Sequence, residues 1–199
     1  MFENLSSLDK SILLWIHKYL SNTIMDWIMP VITEKNNWII PIFLLILFLA
    51  FKAGKRGKIT LFLVILSIGI TDSICAQILK PLFERIRPSH LDLDGLNLLV
   101  GKGGKWSMPS NHAANIFTLA VIFSYFYERY KLYLFSLALT IAFSRLYVGV
   151  HYLGDVIIGS IIGYSIAWFI LTLWVFLKIR ELKKGNTWVW YESEYPKLH

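Results

Sequence analysis

Charge is scarce in this chain of 199 residues. Only 17% are Asp, Glu, Lys or Arg, against about 25% in an ordinary soluble domain. With 56% of residues hydrophobic and a mean hydropathy of +0.55, a disordered chain is excluded and a soluble domain disfavoured. Cysteine is nearly absent: Cys75 stands alone, so no internal disulfide can form, and neither a CxxC pair nor a zinc-ligand spacing exists. Acidic residues are the minority, 13 against 20 Lys+Arg, for a net charge of +7. In so apolar a chain that excess points to membrane orientation and anionic lipid. The aromatic–basic stripe that would indicate nucleic acid is missing. Missing too is a basic stretch followed by a clean apolar core and a small-residue cleavage site, so no removed signal peptide is expected. The length suits one bundle, residues 1–199 as a single domain.

The apolar residues lie in long blocks. Five segments, roughly 37–54, 58–79, 110–128, 131–149 and 153–178, mostly approach the ~20 residues that cross ~30 Å of hydrocarbon. The third and fourth are short, with polar ends. The fifth contains Gly159 and Gly163, a GxxxG spacing read as tight helix packing. In residues 8–34, Leu13, Leu14, Ile16 and Leu20 alternate with Lys18, Ser21, Asn22 and Asp26. This pattern predicts one or two amphipathic helices in the interface, with a sixth, poorly hydrophobic span as the alternative. The expected fold is all-α: a polytopic membrane bundle of five to six transmembrane helices with N-terminal amphipathic helices, a core at 37–178 and a cytoplasmic tail at 179–199.

Basic residues mark one face. Lys52, Lys55, Arg56 and Lys58, then Arg129 and Lys131, then Lys178, Arg180, Lys183 and Lys184 fall on the same side by alternation of spans. The positive-inside rule makes that side cytoplasmic. The long loop at about 81–108, half apolar from Leu91 to Val100, then lies on the outer face. Trp188, Trp190 and Tyr191 suit an interface anchor, with a disordered tail as the alternative.

Ionisable residues at span ends are candidates for function because the bilayer makes them costly. Lys80, Arg87, Ser110–Asn111–His112, Arg145, His151 and Asp155 all fall on the outer face by the same alternation. Lys80, Arg87 and Arg145 would repel one another unless an anion lay between them. Phosphate suits the Arg fork and the Lys point charge. A helix opening after Pro109 adds free N–H groups for the same anion. His151 and Asp155 are four apart and share a helix face. A carboxylate on one imidazole nitrogen frees the other for attack, leaving His112 as general acid. Asp72 reads as a structural hydrogen-bonding group inside the bundle. Glu84 and Arg85 read as a solvated pair, with a head-group contact the alternative for Arg85. His17, His90 and His199 belong to no motif.

Lys80-x6-Arg87-Pro88, Pro109-Ser110-Asn111-His112 and Ser144-Arg145-x5-His151-x3-Asp155 closely resemble the three-part signature of the type 2 phosphatidic acid phosphatase superfamily. Order and spacing match throughout, and the resemblance spans about 37–178. The one departure is Asn111, where the family usually has Gly. Asn tolerates unusual backbone angles, and its side chain either narrows the pocket or adds a phosphate donor. The resemblance implies catalysis through a phosphohistidine on His151, with Asp155 orienting it and His112 protonating the leaving group. Lys80, Arg87, Ser110, Asn111 and Arg145 would hold the phosphoryl oxygens, with no metal or other cofactor. It further implies a bacterial membrane phosphatase whose partner is a phosphorylated lipid: lipid A at its 1-phosphate by preference, otherwise undecaprenyl diphosphate or phosphatidylglycerophosphate. Passing the phosphoryl group to an acceptor alcohol is the rival activity.

Overall fold

The computed structural model describes residues 2–191; Met1 and residues 192–199, with the end of the expected tail and His199, lie outside it. The described residues form helices and loops with one isolated β-bridge. The α-helices are α1 (Phe2–Tyr19), α2 (Thr23–Thr33), α3 (Ile39–Phe51), α4 (Gly54–Ser73), α5 (Lys80–Phe83), α6 (Asn111–Phe126), α7 (Lys131–Tyr147) and α8 (Leu153–Lys183). A π-helical stretch, Ile74–Leu79, joins α4 to α5.

Among the described residues, two helices are long and apolar enough to cross a membrane: Gly54–Phe83 and Leu153–Lys183. Helices α2 and α3 add a third only as one broken span, bent by 62°. At 31 residues, α8 is about 46 Å long by the rise per residue, well beyond the ~30 Å hydrocarbon layer. Helices α6 and α7 have 16 and 17 residues, shorter than the segments expected at 110–128 and 131–149. Their ends are given to turns. A 3₁₀ turn, Glu128–Tyr130, separates them, and α7 stops just before Gly149, whose φ of +83° is a conformation glycine adopts without penalty.

Helix α6 runs through the middle of the bundle, with Ala113, Ala114, Thr118 and Ile122 fully buried. It lies hard against α8. A Cβ at Gly159 would sit 2.5 Å from the Ser110 carbonyl oxygen, and one at Gly163 would collide with the Ala114 backbone. The Thr118 hydroxyl lies 3.1 Å from the Gly163 carbonyl. The GxxxG spacing therefore does what was expected of it: it lets two backbones touch.

Helix α1 is amphipathic. Leu13 and Ile16 pack with Tyr147, Val148, Val150 and Tyr152, while Trp15 and Tyr19 are exposed. Leu96, Leu98, Leu99 and Val100 complete the same cluster, which explains why the long loop is half apolar: it is the seat of α1. His17 Nδ1 accepts from the Asn97 N–H at 3.2 Å, a structural role consistent with its lack of a motif. At the other end of the bundle, the chain after α8 turns back at Gly185. Val189 and Trp190 are buried with Phe126 and Trp174. Trp190 is thus a packing residue rather than the interface anchor expected from the sequence; Trp188 and Tyr191 keep partial exposure.

Candidate active site

The three motif segments arrive at one end of the bundle. Lys80 opens the single turn α5 just past the π-helical stretch, the kind of irregularity common at functional sites. Glu84, with φ +45°, then turns the chain out of α5. Residues 85–87 run extended against 105–107: the Ser107 N–H donates to the Arg85 carbonyl at 2.7 Å and the Arg87 N–H to the Lys105 carbonyl at 3.1 Å, around an Ile86–Trp106 bridge. Residues two apart in extended chain share a face, so Arg85 and Arg87 project together.

Lys80 Nζ and Arg87 Nε both donate to the Trp106 carbonyl, each at 3.1 Å. Arg145, buried at the end of α7, donates from Nη1 to Thr33 Oγ1 of α2 at 2.6 Å. Among the described residues none of these three cations is ion-paired; each bonds only neutral oxygens. Arg145, His151, Arg87 and Lys80 are all within electrostatic reach of His112. Burial holds the Arg87 guanidinium below its usual value, opposed by Asp155. A Cβ at Gly103, where φ is +70°, would sit 2.9 Å from Arg87 Nη1, so the glycine-rich loop closes directly on this guanidinium.

Ser110 caps α6, its hydroxyl accepting from the Ala113 N–H at 3.5 Å, and its own N–H donates to the Asp155 carbonyl at 3.0 Å. Asn111 occupies the first turn of α6, and its amide donates to Asp72 Oδ1 at 2.8 Å; Asn115 donates to the same oxygen at 3.0 Å. The amide N–H₂ of Asn111 is thereby turned toward α4; Asp72 has the hydrogen-bonding role expected of it, but on an exposed face of α4 rather than inside the bundle. His151 lies in the turn between α7 and α8, 1% exposed, with Nδ1 at 3.4 Å from Oδ2 of the fully buried Asp155. That contact is long and poorly aligned for a hydrogen bond, as is common before substrate tightens a site. Oδ2 also accepts from the Tyr152 N–H at 2.9 Å. Burial pushes the His151 imidazole down to about 4, with Asp155 pulling the other way. The imidazole is therefore neutral and nucleophilic at pH 7.

All eight residues selected from the sequence thus lie at this end. Four participants were not selected. The Trp106 carbonyl bridges two cations, and Thr33 holds a third. Arg85 donates from Nη1 to Asp155 Oδ1 at 2.9 Å and from Nη2 to Asp9 Oδ2 at 2.7 Å, not to Glu84 or solvent as expected. The correction has a physical cause: Glu84 turns the helix out, whereas extended backbone carries Arg85 inward beside Arg87. The R-x-R spacing before Pro88 was the available signal. Nothing in the sequence pointed to Asp9 or Thr33.

Residues 57–179 match the family profile described as PAP2 superfamily. The chain is 34% identical over 177 residues to a lipid A 4'-phosphatase of Bacteroides thetaiotaomicron, covering 84% of this chain and 77% of that one. It is 30% identical over 119 residues to a lipid A 1-phosphatase of Rhizobium johnstonii, covering 58% and 48%. The crystal structure of Aquifex aeolicus LpxE superposes with a TM-score of 0.65 at 25% identity, covering 81% of this chain and 93% of that one. A PAP2-type phosphatidylglycerolphosphate phosphatase from Bacillus subtilis shares the fold at TM-score 0.65 and 21% identity, covering 85% and 86%. With the profile matched over more than half its length and all three motif segments gathered at one end of the bundle, the chain belongs to the PAP2 superfamily.

Proposed function

We propose that this protein is an integral-membrane lipid A phosphatase acting through a phosphohistidine on His151. The observation that carries the reading is the buried His151–Asp155 pair beside three cations that form no ion pair among the described residues. In the proposed cycle Lys80, Arg87 and Arg145 receive the phosphoryl oxygens, with the Ser110 and Asn111 end of α6 beside them. Asp155 holds the Nδ1–H tautomer, so Nε2 attacks phosphorus and a P–N bond forms. The P–O bond to the sugar breaks, and His112 gives its proton to the leaving oxygen. Water then attacks phosphorus, His112 takes its proton, and the P–N bond breaks to release orthophosphate. The cations supply the charge neutralisation that a metal supplies in other phosphoryl transfers.

The position of the scissile phosphate is read from the relatives. The sequence reading favoured the 1-phosphate. Relatives covering over four-fifths of this chain are named 4'-phosphatases, and those named 1-phosphatases match about half of it. The 4'-phosphate therefore takes precedence. We read the chain as a single membrane domain of five to six spans, with 8–34 as amphipathic helices on the outer surface of the inner membrane. The active site faces the periplasm, and the basic turns and tail face the cytoplasm.

The test is phosphate release by purified protein in detergent with EDTA, from lipid A carrying only the 1-phosphate, only the 4'-phosphate, undecaprenyl diphosphate or phosphatidylglycerophosphate, each beside His151→Ala. Release from the 4'-phosphate form by wild type alone is expected. Release from a lipid other than lipid A would reassign the substrate, and activity abolished by EDTA would overturn the mechanism.

A further inference from the structure

The N-terminal helix lies outside the family-matched segment 57–179, yet it reaches the catalytic carboxylate through two charged contacts. Asp155 is fully buried, and its two oxygens are used differently. Oδ2 faces His151 Nδ1 and the Tyr152 N–H; Oδ1 takes Arg85 Nη1 at 2.9 Å. Arg85 in turn gives Nη2 to Asp9 Oδ2 at 2.7 Å, and Asp9 Oδ1 accepts from the Gly154 N–H at 3.0 Å. Arg85 and Asp9 are 18% and 16% exposed. The guanidinium lies 4.2 Å over the Tyr152 ring, which fixes its plane. The guanidinium thus bridges two carboxylates, one N–H to each, and its planar fork fixes the direction of both bonds.

We propose that Arg85, held by Asp9 of α1, is a positioning residue that fixes the rotation and charge of Asp155 and through it the orientation of His151. The inference rests on His151–Asp155 being the catalytic pair. With Oδ1 pinned by Arg85, Asp155 can present only Oδ2 to the imidazole. The guanidinium favours the ionised form of Asp155, and Asp9 offsets the Arg85 charge as felt at the imidazole, so the carboxylate still supports the imidazolium side of the reaction. The N-terminal amphipathic helix is then part of the catalytic unit rather than a separable anchor. Its residue Asp9 sits beside the first turn of α8 and supplies the outermost link of an Asp9–Arg85–Asp155–His151 chain.

The charges around the pair are Asp9 from α1, Lys80 from α5, Arg85 and Arg87 from the loop, His112 from α6 and Arg145 from α7. Of these, Arg85 and Asp9 can be changed without touching a residue assigned to hold phosphate. The experiment compares Arg85→Gln, Arg85→Lys, Asp9→Asn and the double variant Arg85→Gln/Asp9→Asn in the full-length protein. The substrate is whichever lipid phosphate wild type hydrolyses, with His151→Ala alongside. Arg85→Gln is expected to lower kcat about 100-fold, in the range found for oriented second-layer partners, with KM within about two-fold. Arg85→Lys is expected to recover part of kcat because it restores the charge but not the fork.

The acid limb of kcat/KM supplies the readout that a merely structural role would not move. Removing the Arg85 charge favours protonation of His151 and moves the limb to higher pH. Removing the Asp9 charge exposes Asp155 to the full guanidinium and moves it to lower pH. If Asp9 acts through Arg85, Asp9→Asn adds nothing in the double variant. An unchanged kcat in Arg85→Gln, or losses in both variants with neither limb displaced, overturns the proposal. Should Arg85→Gln fail to fold, the direction of the limb in Asp9→Asn decides: a downward shift supports the proposal, and no shift overturns it. Activity surviving in His151→Ala would instead refute the nucleophile assignment, a separate failure.

Discussion

The two ends of the bundle treat their cations in opposite ways. At the end closed by the C-terminal segment, Arg56 lies 4.1 Å over the Tyr127 ring and 4.9 Å over Trp190. Arg180 and Lys184 pair with Glu181 at 3.0 and 3.9 Å, and Lys178 donates to the Tyr125 hydroxyl at 2.8 Å. Rings and a carboxylate answer the charge, so an anion gains little there. At the other end, Lys80 and Arg87 share one carbonyl and Arg145 has a threonine hydroxyl. The buried carboxylate at that end, Asp155, is taken by Arg85, a backbone N–H and His151. Among the described residues, these three mutually repelling cations have only neutral hydrogen-bond partners, an electrostatic cost that the proposed phosphate would relieve. The contrast separates a structural use of positive charge from the anion-binding use proposed for Lys80, Arg87 and Arg145.

The largest expected effect comes from removing the proposed nucleophile at the second end. His151→Ala should abolish turnover, a loss of about 10³-fold or more as for other covalent catalysts, while protein yield and melting temperature stay near wild type. Full activity in this variant would reduce the site to an anion-binding surface. The next effect is in titration. His151 is buried in a turn beside cations, which holds its imidazole down to about 4. A group with a lowered value stays neutral until pH falls through that value, so the ¹⁵N imidazole signals of His151 in detergent should remain those of the neutral form from pH 7 to well below 6.5. Titration at the ordinary value near 6.5 would mean that the turn opens to water.

How much of this contrast was legible in the sequence differs between the two ends. At the site end, the motif residues sit at fixed spacing, and helices that begin or end beside them bring those residues together. Lys80, Arg87, His112, Arg145, His151 and Asp155 could therefore be selected from the chain alone, and the fold gathers them at one end. Their polar supports were not found, because Asp9, Thr33 and the Trp106 carbonyl reach the site by tertiary packing of α1, α2 and the long loop, which leaves no periodic trace. Arg85 was misread because pairing in sequence with Glu84 is outweighed by the left-handed turn at Glu84 and the extended segment after it. At the other end, Trp190 read as an interfacial aromatic because hydropathy cannot distinguish a ring in lipid from one folded back on Phe126 and Arg56. Helix ends were misplaced in both directions: the 3₁₀ turn after Phe126 shortens α6, whereas Gly54–Phe83 and Leu153–Lys183 run past the segments expected at 58–79 and 153–178.

A smaller effect tests whether geometry or charge alone makes the cations catalytic. Arg87→Lys keeps the charge and the Trp106 carbonyl within reach, but loses the planar fork. A drop in kcat/KM of about 10- to 100-fold, corresponding to the roughly 1.5–3 kcal/mol of a charged hydrogen bond, is expected from steady-state assay. A wild-type value would mean that the end works as a diffuse positive field, and the contrast with the ring-bound Arg56 would lose its meaning.

The smallest effect should come from the opposite end, and its smallness is the point. Arg56→Ala removes a guanidinium stacked on Tyr127 and near Trp190, an interaction of about 0.5–2 kcal/mol. For a chain of this size about 2–4 °C of melting temperature accompanies each kcal/mol. The variant should therefore melt a few degrees lower, while kcat and KM remain at wild-type values, since nothing at that end touches the phosphoryl group. The pair of measurements is diagnostic in both directions. A fall in activity larger than the loss of stability would show that the two ends communicate through α6 and α8, the helices that join them across the Gly159 and Gly163 contacts. Unchanged melting would show that the aromatic platform stands without its cation, leaving burial of Val189 and Trp190 to hold the C-terminal segment in place.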